Sequence, residues 1–159
     1  MAKVIEISGL DELVESFRNA DSNINRIGRG FLKSLSDYGV KQVQIQILNI
    51  GAVDTNELIQ GIRYELSQTT SGLESVIKPS EKADNYAAAI EYGTKPHFPP
   101  ISALQGWADR HGVPVWAVAT KIAREGTEAR PYWQPAYEDL DKHINGELQG
   151  FVEEIAKWL

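Results

Sequence analysis

The sequence predicts an α+β fold in which long N-terminal helices and a C-terminal helix pack on a small antiparallel β-sheet, with a helical-hairpin insert. Three observations carry this. Apolar residues at Ile24, Ile27, Phe31, Leu35 and Tyr38, and again at Tyr137, Leu140, Ile144, Leu148, Phe151, Ile155 and Trp158, step by three and four, which lines one face of a helix. Ile62, Tyr64 and Leu66 alternate with Arg63, Glu65 and Ser67, the period of a half-buried strand. Residues 96–125 hold two short helical patterns bounded by prolines and glycines. With 159 residues and 42% hydrophobic content, the chain is long enough for one domain with its own core. That domain spans 1–159, with the insert at 96–125.

In order, Lys3 to Ile7 is β-branched and predicts a short edge strand. Ser8 and Asp11 suit a helix start, the hydroxyl satisfying a free amide and the carboxylate favouring the positive end. Leu10, Leu13, Phe17 and Ala20 follow with helical spacing. Asp21-Ser22-Asn23 has weak helix propensity and good capping chemistry, so a break is expected there. A second helix is predicted from about Ser22 to Asn49, roughly 40 Å long, with Gly39 shifting its apolar phase. Gly51 to Ile62 predicts a loop and short turn capped by Asp54 or Thr55. The strand over Ile62–Ser67 turns at Ser71-Gly72 and returns over Leu73–Lys78, ended by Pro79. Tyr86–Tyr92 fits a helical turn or a strand, and Glu91 is expected to be partly buried there. Pro96, Pro99 and Pro100 make a stiff link. Ser102 with Gln105 opens a helix carrying Leu104, Trp107 and Ala108 and stopped by Gly112. Pro114 opens its partner, with Val115, Val118, Ala119 and Ile122, ending near Gly126. Pro135 starts the last helix, whose Glu138, Asp139 and Asp141 suit its N-terminal end. Gly146 and Gly150 each cost that helix about 1 kcal/mol against alanine, a cost that close approach of another element would explain.

The chemistry of the residues points to surfaces more than to catalysis. The absence of cysteine rules out disulfides and thiolate metal sites. No stretch has the length or apolarity of a signal peptide or membrane span, so a soluble, cytoplasmically made protein is expected. A net charge of −6 argues against a protein whose main work is gripping phosphates. His97, His111 and His143 lie far apart in sequence and form no metal-binding pattern, so no metal or cofactor is expected. Gly28-Arg29-Gly30 lies inside a helix and follows no strand, unlike a nucleotide loop. Arg26, Arg29, Lys33 and Lys41 share one helix side, interrupted by Asp37; a solvated face is the simpler reading, a stripe for an acidic partner or DNA the sharper one. Tyr132 and Trp133, between Pro131 and Pro135, make a rigid aromatic corner, read first as core packing and second as an interface anchor. Arg130 beside them could pair with Glu91.

Three ordered segments resemble the tail-completion, or head–tail joining, proteins of the necks of long-tailed bacteriophages. They are Val53-Asp-Thr-Asn-Glu-Leu-Ile-Gln-Gly-Ile62, Tyr86 through Glu91-Tyr92-Gly93-Thr94, and Ala129-Arg-Pro-Tyr-Trp-Gln-Pro-Ala136 before a final helix. The opening Gly9-Leu10 and Leu13 are similar as well. Departures fall at Asn56-Glu57, Gly61 and Tyr132-Trp133. The resemblance implies an α+β fold and a homo-oligomeric ring, commonly six-fold, between the head-side connector and the tail-tube or tail-terminator proteins. It also implies that genomic DNA passes through the lumen without sequence-specific binding, that no membrane is involved, and that the chain has no enzymatic activity and ends in the virion after assembly in the host cytoplasm. The candidate interface residues are Arg26, Arg29, Lys33, Lys41, Glu91, Tyr92, Trp107, Trp116, Arg130, Tyr132 and Trp133.

Two other classes compete. A small hydrolase would use Glu91 with His97, which requires the two side chains to meet. A DNA-binding adaptor would use the Arg26–Lys41 stripe, which requires salt-sensitive DNA binding.

Overall fold

Ser22 to Asn49 forms one unbroken 28-residue helix, α1, because Leu32, Leu35, Val43 and Ile47 recur at helical spacing and are all buried. The computed structural model describes residues 5–7, 22–70 and 72–157. After strand β1 (Ile5–Ile7) and α1 come α2 (Glu57–Gly61), β2 (Arg63–Gln68), β3 (Leu73–Lys78), α3 (Glu81–Tyr92), α4 (Ile101–His111), α5 (Val115–Glu125) and α6 (Trp133–Ala156). The fold is α+β. The helix expected over Leu10–Ala20, its Ser8–Asp11 start, Lys3, Val4, Asp21 of the expected break, Ser71 of the expected turn and Trp158 lie outside the described residues.

The sheet has the order β1-β3-β2 and is antiparallel throughout. Ile5 pairs with Ile77, and Arg63 with Lys78. The central strand turns Ser75 and Ile77, both 0% exposed, toward α1. There the Ser36 hydroxyl lies 2.6 Å from that of Ser75 and also donates to the Leu32 carbonyl at 2.6 Å. The pair satisfies two polar groups that would be costly to bury alone. The alternation expected of β2 is weak: Tyr64 is half-buried, but Leu66 is exposed, because β2 is an edge that α1 only partly covers.

Helix α6 runs antiparallel to α1. Phe31 stacks on Phe151 with ring centroids 4.0 Å apart, and Tyr38 on His143 at 3.8 Å. Between these pairs and the sheet, α1 continues straight through Gly39. A β-carbon at Gly39 would sit 2.5 Å from Ile77 Cδ1 and 3.1 Å from Leu140 Cδ2, so glycine there lets α1 lie close to β3 and α6 together. One core joins α1, α2, β3, α3 and the start of α6, through Leu58, Ile77, Ala83, Ala87, Tyr132, Trp133 and Leu140.

Several local expectations are corrected. Tyr86–Tyr92, left open between helix and strand, is the second half of α3, which begins earlier because Ser80 caps it by accepting from the Ala83 amide. The N-cap of α2 is Asn56, at φ 60°, and neither Asp54 nor Thr55; asparagine tolerates that left-handed conformation. Helix α4 starts at Ile101 behind Pro100, without a side-chain cap, and Gln105 binds Asp109 instead. Pro114 is the N-cap of α5 and not its first helical residue. Helix α6 begins at Trp133, two residues before Pro135; proline is tolerated there because first-turn amides have no intrahelical acceptor. Tyr137, assigned to the apolar face, is exposed. At Gly146 and Gly150 an added β-carbon would meet nothing within 4 Å, so neither glycine serves a close approach among the described residues.

A clasped lobe, a capped corner and two charged flanks

Glu91 lies in the last turn of α3 and is 4% exposed. Its Oε2 accepts from the backbone amides of Tyr132 at 2.7 Å and Trp133 at 3.0 Å. Those amides open α6, where backbone N–H groups lack intrahelical partners and the helix end is positive. The carboxylate therefore caps a helix from a different element. The Arg130 amide donates to the Ile90 carbonyl at 2.7 Å, which holds the approaching chain in place. No Arg130–Glu91 ion pair, one option the sequence left open, forms among the described residues: Arg130 is exposed, and Glu91 spends its Oε2 on the backbone. The Tyr132 hydroxyl reaches the Ala87 carbonyl at 3.4 Å, and burial pushes its pKa far above the usual phenol value.

His97 is exposed on the other side of the Gly93 turn, its Nδ1 2.9 Å from the Lys95 carbonyl oxygen. No hydrogen bond or ion pair joins His97 to Glu91 among the described residues. The pairing a hydrolase would need is not assembled here.

Gly93-Thr94 and Gly126-Thr127, a Gly-Thr pair repeated on either side of the insert, meet. Thr94 and Thr127 exchange backbone bonds at 3.0 and 3.1 Å, and their hydroxyls lie 3.1 Å apart. Each preceding glycine lies in a region of backbone space open essentially to glycine alone, Gly93 at φ 64°, ψ −176° and Gly126 at φ 77°, ψ −158°. A side chain on either would run into the opposite strand's backbone, the Thr127 and Thr94 carbonyls respectively. This clasp closes the base of a lobe made of the proline link, α4 and α5, which pack against each other. The repetition of Gly-Thr in the sequence was the signal for it.

A second tie, which sequence reasoning missed, holds the lobe to the body. Arg110 of α4 grips Asp54 through both its Nε, at 2.9 and 3.1 Å, and Nη2. His111 Nε2 lies 3.4 Å from the same carboxylate. The Arg110 guanidinium, and to a lesser degree His111, hold the Asp54 carboxyl below its ordinary value. Residues 56 apart in sequence leave no local signal of such a pair.

The lobe's outer surface is aromatic. Trp116 is 62% and Phe98 57% exposed, with ring centroids 6.0 Å apart. Trp107, also exposed, stacks on His111 at 4.3 Å. Phe98 was not singled out from sequence, although an aromatic inside a stiff proline link is a natural surface anchor.

Of the predicted site residues, Glu91, Tyr132 and Trp133 lie in the core. As surface contacts they are corrected: the core-packing reading of the aromatic corner holds. Arg26, Arg29, Lys33, Lys41, Tyr92, Trp107, Trp116 and Arg130 are exposed. Within the stripe, Lys33 pairs with Asp37 at 2.9 Å and Arg29 donates to Gln68 at 3.1 Å. Arg26 and Lys41 form no ion pair among the described residues. No metal-binding group of acidic, histidine or cysteine side chains occurs among the described residues, and no described helix is long and apolar enough to cross a membrane. No family model, curated protein or solved structure matches this chain.

Proposed function

We propose that this chain is a structural assembly protein: a ring subunit of the neck of a long-tailed bacteriophage, joining the tail to the head connector. The observation that carries the reading is the pair Phe98 and Trp116, large rings left more than half exposed on a lobe locked at its base by a two-strand clasp. Rigid aromatic groups held out toward solvent suit the anchor of a protein interface. Two of the segments that carry the resemblance also fall at the junctions that hold the lobe, the Glu91-capped corner and the Gly93-Thr94 turn. On this reading the partners are further copies of the chain in a ring, the head-side connector, and the tail-tube or tail-terminator protein. Genomic DNA passes through the lumen, and the protein resides in the virion. The reading requires no catalysis and no cofactor.

Phage lacking this protein should accumulate DNA-filled heads beside separate tails, because packaging and tube growth do not need the joint. Adding folded protein to such an extract should restore infectious particles. Phe98→Ala with Trp116→Ala should fold normally yet restore far fewer, whereas Glu91→Gln and His97→Ala, once folded, should restore them fully. Particle counts by electron microscopy and infectivity measure this. A folded, particle-bound Glu91→Gln variant that fails to restore infectivity would overturn the structural reading in favour of an enzyme.

A further inference from the structure

The two long helices carry opposite charge. On α1, Arg26, Arg29, Lys33 and Lys41 are set against Asp37 alone. On α6, Glu138, Asp139, Asp141, Glu147, Glu153 and Glu154 are set against Lys142 alone. Arg26 and Lys41 on the one helix, and Glu138 and Glu153 on the other, are all exposed. Phe31, Tyr38 and Gly39 turn one side of α1 toward α6. Within the cationic stripe, Arg29 reaches Gln68 of β2 and Lys33 pairs with Asp37, while helical spacing sets the exposed Lys41 between Lys33 and the α6-facing Tyr38. On α6, helical spacing puts Glu138 and Glu153 on the exposed side away from Leu140 and Phe151. Among the described residues each accepts from the glutamine four residues before it, Gln134 at 3.0 Å and Gln149 at 3.1 Å.

The heights agree as well. The stacked pairs Phe31–Phe151 and Tyr38–His143 fix the antiparallel register of the two helices. Carried along both helices from the nearer stacked pair, that register sets Arg26 about three residues from Glu153 and Lys41 about two from Glu138, roughly 4.5 and 3 Å along the axis. Arg26 and Lys41 on α1, and Glu138 and Glu153 on α6, thus share one spacing, about 22 Å. Rotation about an axis parallel to α1 and α6 preserves height, so it would bring one copy's outward acids level with the next copy's cations.

We propose that the partner of the α1 stripe is the α6 flank of a second copy of this chain, packed side by side about such an axis, with Arg26 near Glu153 and Lys41 near Glu138. The contact is head-to-tail, using different surfaces on the two copies, the kind that closes into rings. It deepens the assembly reading above and rests on it. Net charge of −6 keeps the contact weak in isolation, while local complementarity sets its direction and register.

The test is sedimentation velocity at low and high salt on the wild type and two charge-reversed variants, Arg26→Glu with Lys41→Glu, and Glu138→Lys with Glu153→Lys. Wild type should self-associate at low salt and lose this at high salt. Each variant alone should associate on the order of tenfold more weakly, with unchanged circular dichroism. An equimolar mixture of the two should recover association, because each then offers the charge the other lacks. Variants that associate like wild type, a mixture that stays apart, or a wild type that stays monomeric at low salt would each overturn the contact. The extract complementation would still decide the neck reading separately. Loss of DNA binding in the first variant with self-association intact would assign the stripe to nucleic acid and overturn the inference. As the chain has no cysteine, Lys41→Cys with Glu138→Cys should give a ladder of disulfide-linked oligomers, and no ladder would refute the register.

Discussion

Gly39 and Gly146 both sit inside long helices, yet their surroundings give them opposite roles. At Gly39 a methyl group would press on the buried Ile77 and Leu140. Overpacking costs about 1–3 kcal/mol, against about 1 kcal/mol gained in helix propensity, so Gly39→Ala should destabilise the fold. At Gly146 nothing lies within 4 Å of the added atom, and Gly146→Ala should stabilise by about 0.5–1 kcal/mol. Urea denaturation of the two variants should give midpoints on opposite sides of wild type; midpoints moving the same way would contradict the close approach at Gly39. Glu91 can be tested in the same way. Glu91→Ala strands two amides at the buried start of α6, at about 1–3 kcal/mol each, while Glu91→Gln keeps an acceptor and should cost less. Trp133→Ala should cost the isolated chain about 3–5 kcal/mol, because the ring is 1% exposed within one subunit.

At the scale of elements, the lobe has two attachments of different character. The Thr94–Thr127 clasp is backbone pairing between residues in glycine-dependent turns and does not titrate. The Asp54–Arg110 grip does. Because Arg110 lowers the Asp54 carboxyl below its unperturbed 3.8, the grip contributes fully above that value and is lost as pH falls through the depressed one. Acidification should therefore free α4 from the 51–56 loop while the clasp persists. The Asp54 carboxyl resonance and the Thr94 and Thr127 amide shifts followed by NMR would show this, and simultaneous loss of both ties would contradict it. Replacing 96–125 with a short Gly-Ser link between the clasped threonines should leave a folded body, since α1, the sheet, α3 and α6 form their core without the lobe. Circular dichroism and thermal melting would check that, and normal neck assembly by this variant would show the lobe to be dispensable.

For the whole molecule, two kinds of surface divide the work in this proposal. The aromatic lobe offers buried-area energy to a neighbour, and the charged flanks offer orientation. Isolated protein should accordingly associate weakly at low salt and be monomeric at high salt, with the ring completed on its assembly partner. Light scattering showing one tight hexamer at micromolar concentration and high salt would contradict that division.

The periodic elements were legible in the sequence. The stride of Phe31, Leu35 and Tyr38, that of Leu140 and Ile144, and the two short runs Ile62–Ser67 and Leu73–Lys78 match α1, α6 and the paired strands β2 and β3, because those signals reside in neighbouring residues. The Gly-Thr echo and the expected burial of Glu91 were visible too, although their partners were not. Only tertiary structure decided that the two corners clasp each other, that Glu91 caps α6 rather than pairing with Arg130 or His97, and that Asp54 holds Arg110 instead of capping α2. It also decided that Trp133 faces inward while Trp116 faces out. Each of these depends on groups 33 to 56 residues apart or on which side of a short helix is covered, and neither leaves a mark in local residue order. Spacing can say that a carboxylate or a ring needs a partner; which partner it finds depends on where the packed helices bring the chain back.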